Sequence, residues 1–159
     1  GTIQLDFSMP DRLNASYIDQ DGQKKSPVMI HRAILGSIER FVGILIEEYA
    51  GNMPLWLAPT QAVILNITSK QEDYCKNLES SLFKKNIRVS TDLRNEKISF
   101  KIREHTLSKI PYIIIIGDKE VLDDKISVRS RSGEDMGQMS IDNFVKMLET
   151  HVIEKSLTV

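Results

Sequence analysis

The chain has 159 residues, of which 41% are hydrophobic and 27% are charged. This composition is typical of a globular protein with a buried core, and it excludes disorder, collagen and coiled coil. The longest purely apolar run, the four isoleucines at 113–116, is far shorter than the roughly 20 residues of a membrane-spanning helix, and no leader opens the chain. We therefore expect a cytoplasmic protein. The single Cys75 excludes an internal disulfide and a thiolate zinc site.

The net charge of -1 conceals an uneven distribution along the chain. Residues 84–131 contain twelve Lys and Arg against seven Asp and Glu, a net charge of +5, whereas the remainder carries -6. A basic third of this kind is a candidate phosphate-facing surface. A solvated surface laced with salt bridges explains the same charges, and charge alone favours that second interpretation.

The first predicted element is a strand. Residues 2–7 alternate polar and apolar side chains, which is typical of a strand with one buried face. Thr2, Gln4 and Asp6 share the polar face, where they are free to carry chemistry.

A hairpin and a helix are predicted next. Residues 15–18 and 27–30 flank a polar connection with an Asp-Gly turn signal, so we predict that these two segments pair. Apolar residues then recur in two stripes at helical spacing, which predicts a core helix buried on two sides that ends near Gly51. Pro54 and Pro59 interrupt both periodicities, as expected at a domain boundary.

Beyond this boundary, strands alternate with amphipathic helices. Residues 62–67 and 111–116 are nearly continuous apolar runs, which predict strands covered on both faces. Ser69 and Glu72 form a plausible capping box for a helix. The remaining predictions are strands at 87–91 and 125–130, a helix at 96–109 and a last helix capped by Ser140. The predicted order is βαβαββα, which implies a parallel or mixed sheet flanked by helices.

One segment carries a specific resemblance. Residues 27–41 read Pro-Val-Met-Ile-His-Arg-Ala-Ile-Leu-Gly-Ser-Ile-Glu-Arg-Phe and resemble motif 3 of the class II aminoacyl-tRNA synthetases. The string His-Arg-Ala-Ile-Leu-Gly-Ser within them is similar to the threonyl-tRNA synthetase family. Further similarity to that family lies in residues 2–7, 56–61, 92–98, 101–106, 117–120 and 128–129, so the resemblance covers essentially the whole chain.

The resemblance implies an α/β protein in two parts. Residues 1–51 would be the terminal antiparallel strands and motif 3 helix of a class II catalytic domain, 52–58 a linker, and 59–159 an anticodon-binding domain with a βαβαββα mixed sheet. The intact enzyme is implied to be a homodimer that activates threonine with ATP and Mg²⁺ and transfers it to tRNA(Thr). Because motifs 1 and 2 and the editing domains lie outside this sequence, we expect the chain alone to be inactive in aminoacylation.

The resemblance also implies a nucleotide site. Arg40 matches the motif 3 arginine that stacks on adenine and meets the ATP phosphates, a combination that a planar guanidinium allows. Gly36 and Ser37 would leave room for the nucleotide and present N–H groups to it. Thr2 and Gln4 match positions that line the threonine and adenylate pocket. Without the resemblance, Arg40 is an ordinary surface arginine and the first strand is a solvent-facing edge.

His31 matches one of three protein ligands to a catalytic-site Zn²⁺ in this family, and the other two ligands lie outside this sequence. That metal would bind the amino group and hydroxyl of threonine. Judged alone, a histidine at the end of an apolar strand is more often a satisfied core residue. Since one ligand cannot hold zinc, we predict that this chain binds the metal weakly or not at all.

Three residues of the second part match the family's contacts to anticodon bases, namely Asn95, Glu120 and Arg129. An amide, a carboxylate and a guanidinium offer distinct hydrogen-bonding patterns to splayed bases. Turn and salt-bridge chemistry is the alternative for all three. The electrostatic background to the phosphates is expected from Arg94, Lys97, Lys101 and Arg103.

Two other readings stay open at this point. A non-catalytic tRNA-binding module derived from a synthetase would show the same second part, although the retention of His31, Ser37 and Arg40 argues against a decayed active site. A flavodoxin-like ligand-binding domain needs a glycine-rich phosphate loop after the strand at 62–67, and residues 68–70 contain no glycine.

Overall fold

The computed structural model describes residues 1–157, and the chain divides into two compact units, Gly1–Leu45 and a second unit from Ile46 onward. In the first unit the elements are β1 (Thr2–Asp6), α1 (Met9–Arg12), β2 (Tyr17–Ile18), β3 (Lys24–Lys25) and β4 (Met29–Ala33), and helix α2 (Ile38–Glu48) follows them. β1 pairs antiparallel with β4, and β2 pairs antiparallel with β3. Among the helices described, none is long and apolar enough to cross a membrane.

The predicted hairpin is wrong in its partners. β2 pairs with β3, which lies inside the polar connection, and β4 pairs with β1 instead. The turn closes locally because Gly22 adopts a φ of +76° and donates to the Asp19 carbonyl at 2.8 Å, while Lys25 forms an ion pair with the Asp19 carboxylate. Local turn chemistry therefore overrides the apolar pattern of the flanking segments.

The predicted burial of β1 and α2 is also wrong. Ile3 and Leu5 are 69% and 58% exposed, and α2 has no buried residue. The predicted apolar stripes are present, but no layer within the described residues covers them. The predicted end of the helix is confirmed, since Gly51 has a φ of +78° and its N–H donates to the Ile46 carbonyl at 3.0 Å.

The second unit is built on a five-stranded mixed sheet, which confirms the predicted α/β class. Its elements are β5 (Ala62–Asn66), α3 (Glu72–Lys84), β6 (Val89–Asp92), α4 (Ile98–Leu107), β7 (Tyr112–Ile116), α5 (Asp118–Asp123), β8 (Ile126–Ser130), β9 (Asp135–Met139) and α6 (Ile141–Ile153). The strand order is β6-β5-β7-β8-β9. Strands β6, β5 and β7 are parallel, whereas β8 pairs antiparallel with both β7 and β9. The predicted order βαβαββα omits α5 and β9.

The core lies on both faces of this sheet. Alternate residues of β5 and β7 enter different clusters, because side chains alternate along a strand. On one face, Ile64 and Ile114 pack with Leu82 of α3 and Phe144 of α6. On the other face, a smaller cluster packs beside α4 and consists of Val63, Leu65 and Ile113, with Ile98 and Ile102 against them.

Two predicted caps have different outcomes. The backbone N–H of Thr68 donates to Gln71 Oε1 at 2.8 Å, so the capping residues before α3 are Thr68 and Gln71, and the predicted pair Ser69 and Glu72 is wrong. A 3₁₀ turn over Ser69–Gln71 shifts the start of α3 and causes this difference. The N-cap of α6 is confirmed by a 3.2 Å hydrogen bond from Asn143 N to Ser140 Oγ.

The segment at residues 52–58 belongs to the second unit and is bonded to its sheet domain. Leu55 is fully buried, and Arg88 donates to the carbonyl oxygens of Trp56 at 3.1 Å and Ala58 at 2.9 Å. Gln61 adds a bond to the Leu55 carbonyl at 3.1 Å. Charged and amide groups of the second unit thus satisfy the carbonyl groups of this segment.

Candidate functional site

A depression in the first unit is bordered by Thr2 on β1 and by Gly36 and Arg40 near the start of α2. Gly36 has a φ of +72°, a left-handed conformation that glycine adopts readily and that turns the chain from β4 into the helix. The Arg40 side chain is exposed. Two residues of the predicted nucleotide site, Thr2 and Arg40, therefore meet at one depression.

Ser37 begins the helix that carries Arg40. Its Oγ accepts a 3.2 Å hydrogen bond from the backbone N–H of Arg40, which is the bond an N-cap residue makes. Capping of α2 sets the position of Arg40 in the first turn. This local role of Ser37 exists without any ligand.

Gln4 and His31 lie opposite each other on the paired strands β1 and β4, so their side chains share one face. On the same face, His31 Nε2 lies 3.3 Å from Asp6 Oδ2. Asp6 Oδ1 accepts the backbone N–H groups of Met9 and Ser8 at 2.9 Å each, and these bonds lower the pKa of Asp6 to about 2.

The donor set around His31 does not complete a zinc site. One imidazole and the Asp6 carboxylate supply two potential ligands, whereas zinc sites use three or four protein ligands. No group of three His, Cys, Asp or Glu side chains poised for a metal occurs within residues 1–157. The residues of this chain therefore do not by themselves fit Zn²⁺.

In the second unit, Glu120 is the centre of a hydrogen-bond cluster at the carboxyl end of β7. Its Oε2 accepts Gly117 N–H at 2.9 Å, and its Oε1 accepts Ser127 Oγ at 2.8 Å and Gln138 Nε2 at 2.7 Å. Burial raises the pKa of Glu120, but the bonds from Gln138, Ser127 and the backbone outweigh burial and lower it overall. We name Glu120, Ser127 and Gln138 the carboxylate cluster.

Gly117 allows this cluster to form at close range. A Cβ at that position would lie 2.8 Å from Ile67 Cδ1 and 3.0 Å from Glu120 Oε2. A larger residue would require the Ile67 δ-methyl group and the Glu120 carboxylate to shift, so glycine permits the close approach without rearrangement.

Arg129 lies on the same sheet face as the carboxylate cluster. Ser127 and Arg129 are two residues apart on β8 and pair with Ile115 and Ile113 of β7, which belong to the face packed beside α4. The Arg129 side chain is 36% exposed and its guanidinium is 3.9 Å from the Asp135 carboxylate. Its Nε is buried and has no partner among the residues described.

Asn95 lies in the exposed loop after β6. Because β5, β6 and β7 are parallel, the Asn95 loop after β6 and helix α5, which carries Glu120 after β7, leave the sheet at the same edge. The base of the Asn95 loop is held by Asp92, whose carboxylate accepts from Arg94 Nη2 at 2.7 Å and from His105 Nε2 at 2.8 Å. The Arg94 guanidinium holds the pKa of Asp92 well below its usual range.

Two of the residues predicted to form the electrostatic background, Lys101 and Arg94, have partners within the chain. Lys101 is 1% exposed, and its ammonium donates to Asn66 Oδ1 at 2.8 Å and to the Asp92 carbonyl at 3.0 Å. Arg94 binds both Asp92 and Glu104, the latter at 2.8 Å. The prediction that Lys101 faces phosphate is wrong, because its ammonium is buried. The Arg94 guanidinium stays half exposed in its ion pairs.

Several other cations of the basic third, residues 84–131, also have partners within the chain. Arg88, Lys109 and Arg131 donate to backbone carbonyls of residues 50–58, and Lys85 pairs with Asp142. Within residues 84–131, the exposed cations without a hydrogen bond or ion pair to the described residues are Lys84, Lys97, Arg103, Lys119 and Lys125. A count of charges therefore overstates the surface available to phosphates.

Two residues of this edge escaped the sequence analysis, namely Ser127 and Gln138, and the buried position of Lys101 was not predicted. β9 was missed because its sequence, Asp-Met-Gly-Gln-Met, lacks the β-branched and aromatic residues that predict strands. One usable signal was Asn66, a polar residue at the end of a buried apolar run, since such a residue needs a partner.

Comparison with known families assigns both parts of the chain. Residues 61–151 match the family described as the anticodon binding domain. The chain belongs to this family. Residues 1–49 match the class II tRNA synthetase core domain of the G, H, P, S and T enzymes, which contains the motif 3 segment.

Individual relatives point in the same direction. The chain is 59% identical over 158 residues to threonine–tRNA ligase from Marinobacter nauticus and 59% identical over 152 residues to that from Alkalilimnicola ehrlichii, covering 99% and 96% of this chain. It spans about a quarter of the length of these relatives, 25% and 24% respectively. The predicted resemblance to the threonyl-tRNA synthetase family is confirmed.

A solved structure agrees with the fold. The RNA-binding domain of threonyl-tRNA synthetase from Cryptosporidium parvum Iowa II has a TM-score of 0.74 and 37% identity, and the match covers 93% of this chain and 38% of that chain.

Proposed function

We propose that the second unit reads the anticodon of tRNA(Thr). The observation that carries this proposal is the carboxylate cluster beside Arg129 on one sheet face, with the Asn95 loop at the same edge. These groups include an amide, a carboxylate, a hydroxyl and a guanidinium, which suit the edges of unstacked bases. Asn95 and Arg129 are the direct base contacts in this proposal, and Glu120 belongs to the same site.

The exposed cations supply the attraction to the RNA backbone. Lys97 follows Asn95 in the loop, and Lys119 precedes Glu120. Each phosphate that a cation neutralises on a single strand adds about 0.7 to the slope of log K against log salt. Replacement of Lys97 by Gln therefore lowers that slope by about 0.7 and leaves base discrimination unchanged.

For a protein of the length of these relatives, of which this chain spans about a quarter, the proposed activity is threonine–tRNA ligation. Residues 1–51 form part of the catalytic domain in this proposal, 52–58 the linker and 59–159 the anticodon-binding domain. ATP with Mg²⁺ is the proposed substrate at Arg40, Ser37, Gln4 and Thr2, supported by the depression shared by Thr2 and Arg40. That protein is proposed to act as a cytoplasmic homodimer.

The proposed roles in activation follow from charge and position. Arg40 would stack on adenine and neutralise a phosphate oxygen, which favours attack by the threonine carboxylate. Gln4 and His31 share the face of β1 and β4 and would meet threonine there. If Zn²⁺ binds threonine in the whole protein, His31 is its proposed ligand, with the other ligands supplied from outside this chain.

The anticodon proposal is tested by binding of the whole 159-residue chain to a tRNA(Thr) anticodon stem-loop and to a stem-loop with a scrambled loop. Asn95→Ala and Arg129→Ala should each weaken binding to the cognate loop by about tenfold or more and reduce its preference over the scrambled loop. Arg103→Gln, an exposed change on α4, serves as the charge control. Equal binding of both RNAs by the unaltered chain would overturn the proposal.

A further inference from the structure

The carboxylate cluster joins one buried residue and one exposed residue. Glu120 is 9% exposed, whereas Gln138 is an exposed residue of β9. Gln138 and Ser127 lie directly opposite each other on β9 and β8, and both side chains reach the same oxygen, Glu120 Oε1. Gly117 N–H occupies the other oxygen. Three internal donors therefore surround the carboxylate.

The cluster determines which end of the Gln138 amide faces outward. An ionised carboxylate accepts hydrogen bonds and has none to give, so the amide end at Glu120 has to be the NH₂ group. Because the NH₂ group of this planar amide is bonded to Glu120, the Gln138 carbonyl oxygen is left for another partner. The Ser127 hydroxyl hydrogen is committed in the same way, since Oγ lies 2.8 Å from Glu120 Oε1.

The outward groups have complementary polarity. Gln138 and Ser127 present acceptor oxygens, and Arg129, two residues from Ser127 on the same face of β8, presents donors. An amide that could rotate freely would offer a donor or an acceptor equally and would discriminate poorly between bases. Fixing the amide makes the surface selective for one hydrogen-bonding pattern.

This inference rests on the proposed anticodon function. We infer that Gln138 determines specificity in that site, with its fixed carbonyl oxygen accepting a hydrogen bond from an N–H donor on an RNA base edge. Glu120 acts as the positioning residue that holds this oxygen outward. Gln138 is exposed enough to meet a base, whereas the Glu120 oxygens are already occupied by the three internal donors.

The first test replaces Gln138 by Met, which keeps the side-chain length and removes both polar atoms. The whole 159-residue chain is titrated with the tRNA(Thr) anticodon stem-loop and with three stem-loops in which each anticodon base is replaced in turn. Q138M should weaken cognate binding about tenfold, and it should show no further loss when the one base that contacts Gln138 is replaced. Gln23→Met, an exposed glutamine in the β2–β3 turn, is the matched control and should bind like the unaltered chain.

The outcomes separate the two proposals. If the unaltered chain binds every stem-loop equally, the anticodon proposal itself fails. If the unaltered chain discriminates and Q138M keeps the same discrimination at all three bases, only the role of Gln138 is overturned. The same factor of loss on every stem-loop also overturns it, because a contact to a base edge cannot be indifferent to the base.

The second test exchanges the two partners. Q138E places two carboxylates in the contact that now measures 2.7 Å, and the repulsion should weaken cognate binding at least as much as Q138M does. The double variant E120Q/Q138E restores a carboxylate–amide pair and an outward oxygen at residue 138, so it should recover binding to within about threefold of the unaltered chain. Thermal melts by circular dichroism confirm that each variant is folded. A double variant that binds as poorly as Q138M would overturn the positioning role of Glu120.

Discussion

Lys101 Nζ lies 2.8 Å from Asn66 Oδ1, so a buried ammonium on α4 connects to the carboxyl end of β5. The same nitrogen donates to the Asp92 carbonyl at 3.0 Å, at the end of β6. One side chain thereby holds the ends of two parallel strands from which the Asn95 loop and the loop before α3 depart. The carboxyl edge of the sheet is built on this internal cation.

Lys101→Met should destabilise the second unit. The change leaves the Asn66 side-chain oxygen and the Asp92 carbonyl without a donor in the interior, and each unsatisfied group costs about 1–3 kcal/mol. We expect the free energy of unfolding to fall by about 2–4 kcal/mol, measured by urea denaturation at constant m. Lys84→Met, an exposed lysine at the end of α3, should change it by less than about 0.5 kcal/mol. Equal effects of both changes would contradict the role of Lys101.

Asp92 should make stability depend on acid pH. Because the bonds from Arg94 and His105 lower its pKa in the folded state, the unfolded chain takes up the proton first, near a pKa of about 3.9. The stabilisation is therefore complete above that pH and declines as the pH falls below it. Unfolding free energies measured from pH 7 to pH 3 should fall more steeply for the unaltered chain than for Asp92→Asn.

A control separates this effect from the general loss of carboxylates in acid. Asp73→Asn, in the exposed first turn of α3, should leave the stability at pH 7 within about 0.5 kcal/mol of the unaltered chain. Asp92→Asn should be clearly less stable than both at pH 7. Parallel pH curves for Asp92→Asn and the unaltered chain would show that Asp92 does not carry this dependence.

Arg88→Lys should loosen the segment at residues 52–58. Lysine keeps the positive charge but lacks the planar fork that reaches the Trp56 and Ala58 carbonyls at 3.1 and 2.9 Å. We expect a loss of about 1–2 kcal/mol in unfolding free energy and faster amide hydrogen exchange in this segment. Arg103→Lys on the exposed face of α4 is the matched change and should alter neither measurement.

Zinc should bind this chain weakly or not at all. His31 and Asp6 provide two ligands at most, and two ligands do not build the closed coordination that tight zinc binding needs. Elemental analysis after dialysis against zinc, together with calorimetric titration, checks this expectation. Stoichiometric zinc that survives dialysis and is lost in His31→Ala would contradict it.

Patterns of hydrophobicity predicted much of the second unit. The apolar runs at 62–67 and 111–116 became the buried strands β5 and β7, because a strand covered on both faces needs apolar side chains in both directions. The Ser140 cap was predictable for a similar reason, since its partner lies three residues away. The motif 3 string and the matches around Asn95, Glu120 and Arg129 predicted the family, which the comparisons confirm.

The local signals failed where distant groups compete. The pairing of β4 with β1 instead of residues 15–18 depended on the Gly22 turn, and the exposure of α2 depended on which layers are available to cover it. The predicted capping pair, Ser69 and Glu72, is likewise displaced by one residue from the observed pair, Thr68 and Gln71. Such choices arise from energy differences too small for a residue pattern to resolve.

The residue patterns alone were enough to predict the α/β class, four of the five strands of the buried sheet, the synthetase family and the types of side chain proposed to meet RNA. The tertiary structure alone shows which cations are free, since Lys101 and Arg88 are bonded to groups 35 and 30 residues away in the sequence. It also decided that Gln138 meets Glu120, 18 residues away along the chain. Whether a cation is free, and which way an amide points, depends on the partners that the fold brings within about 3 Å.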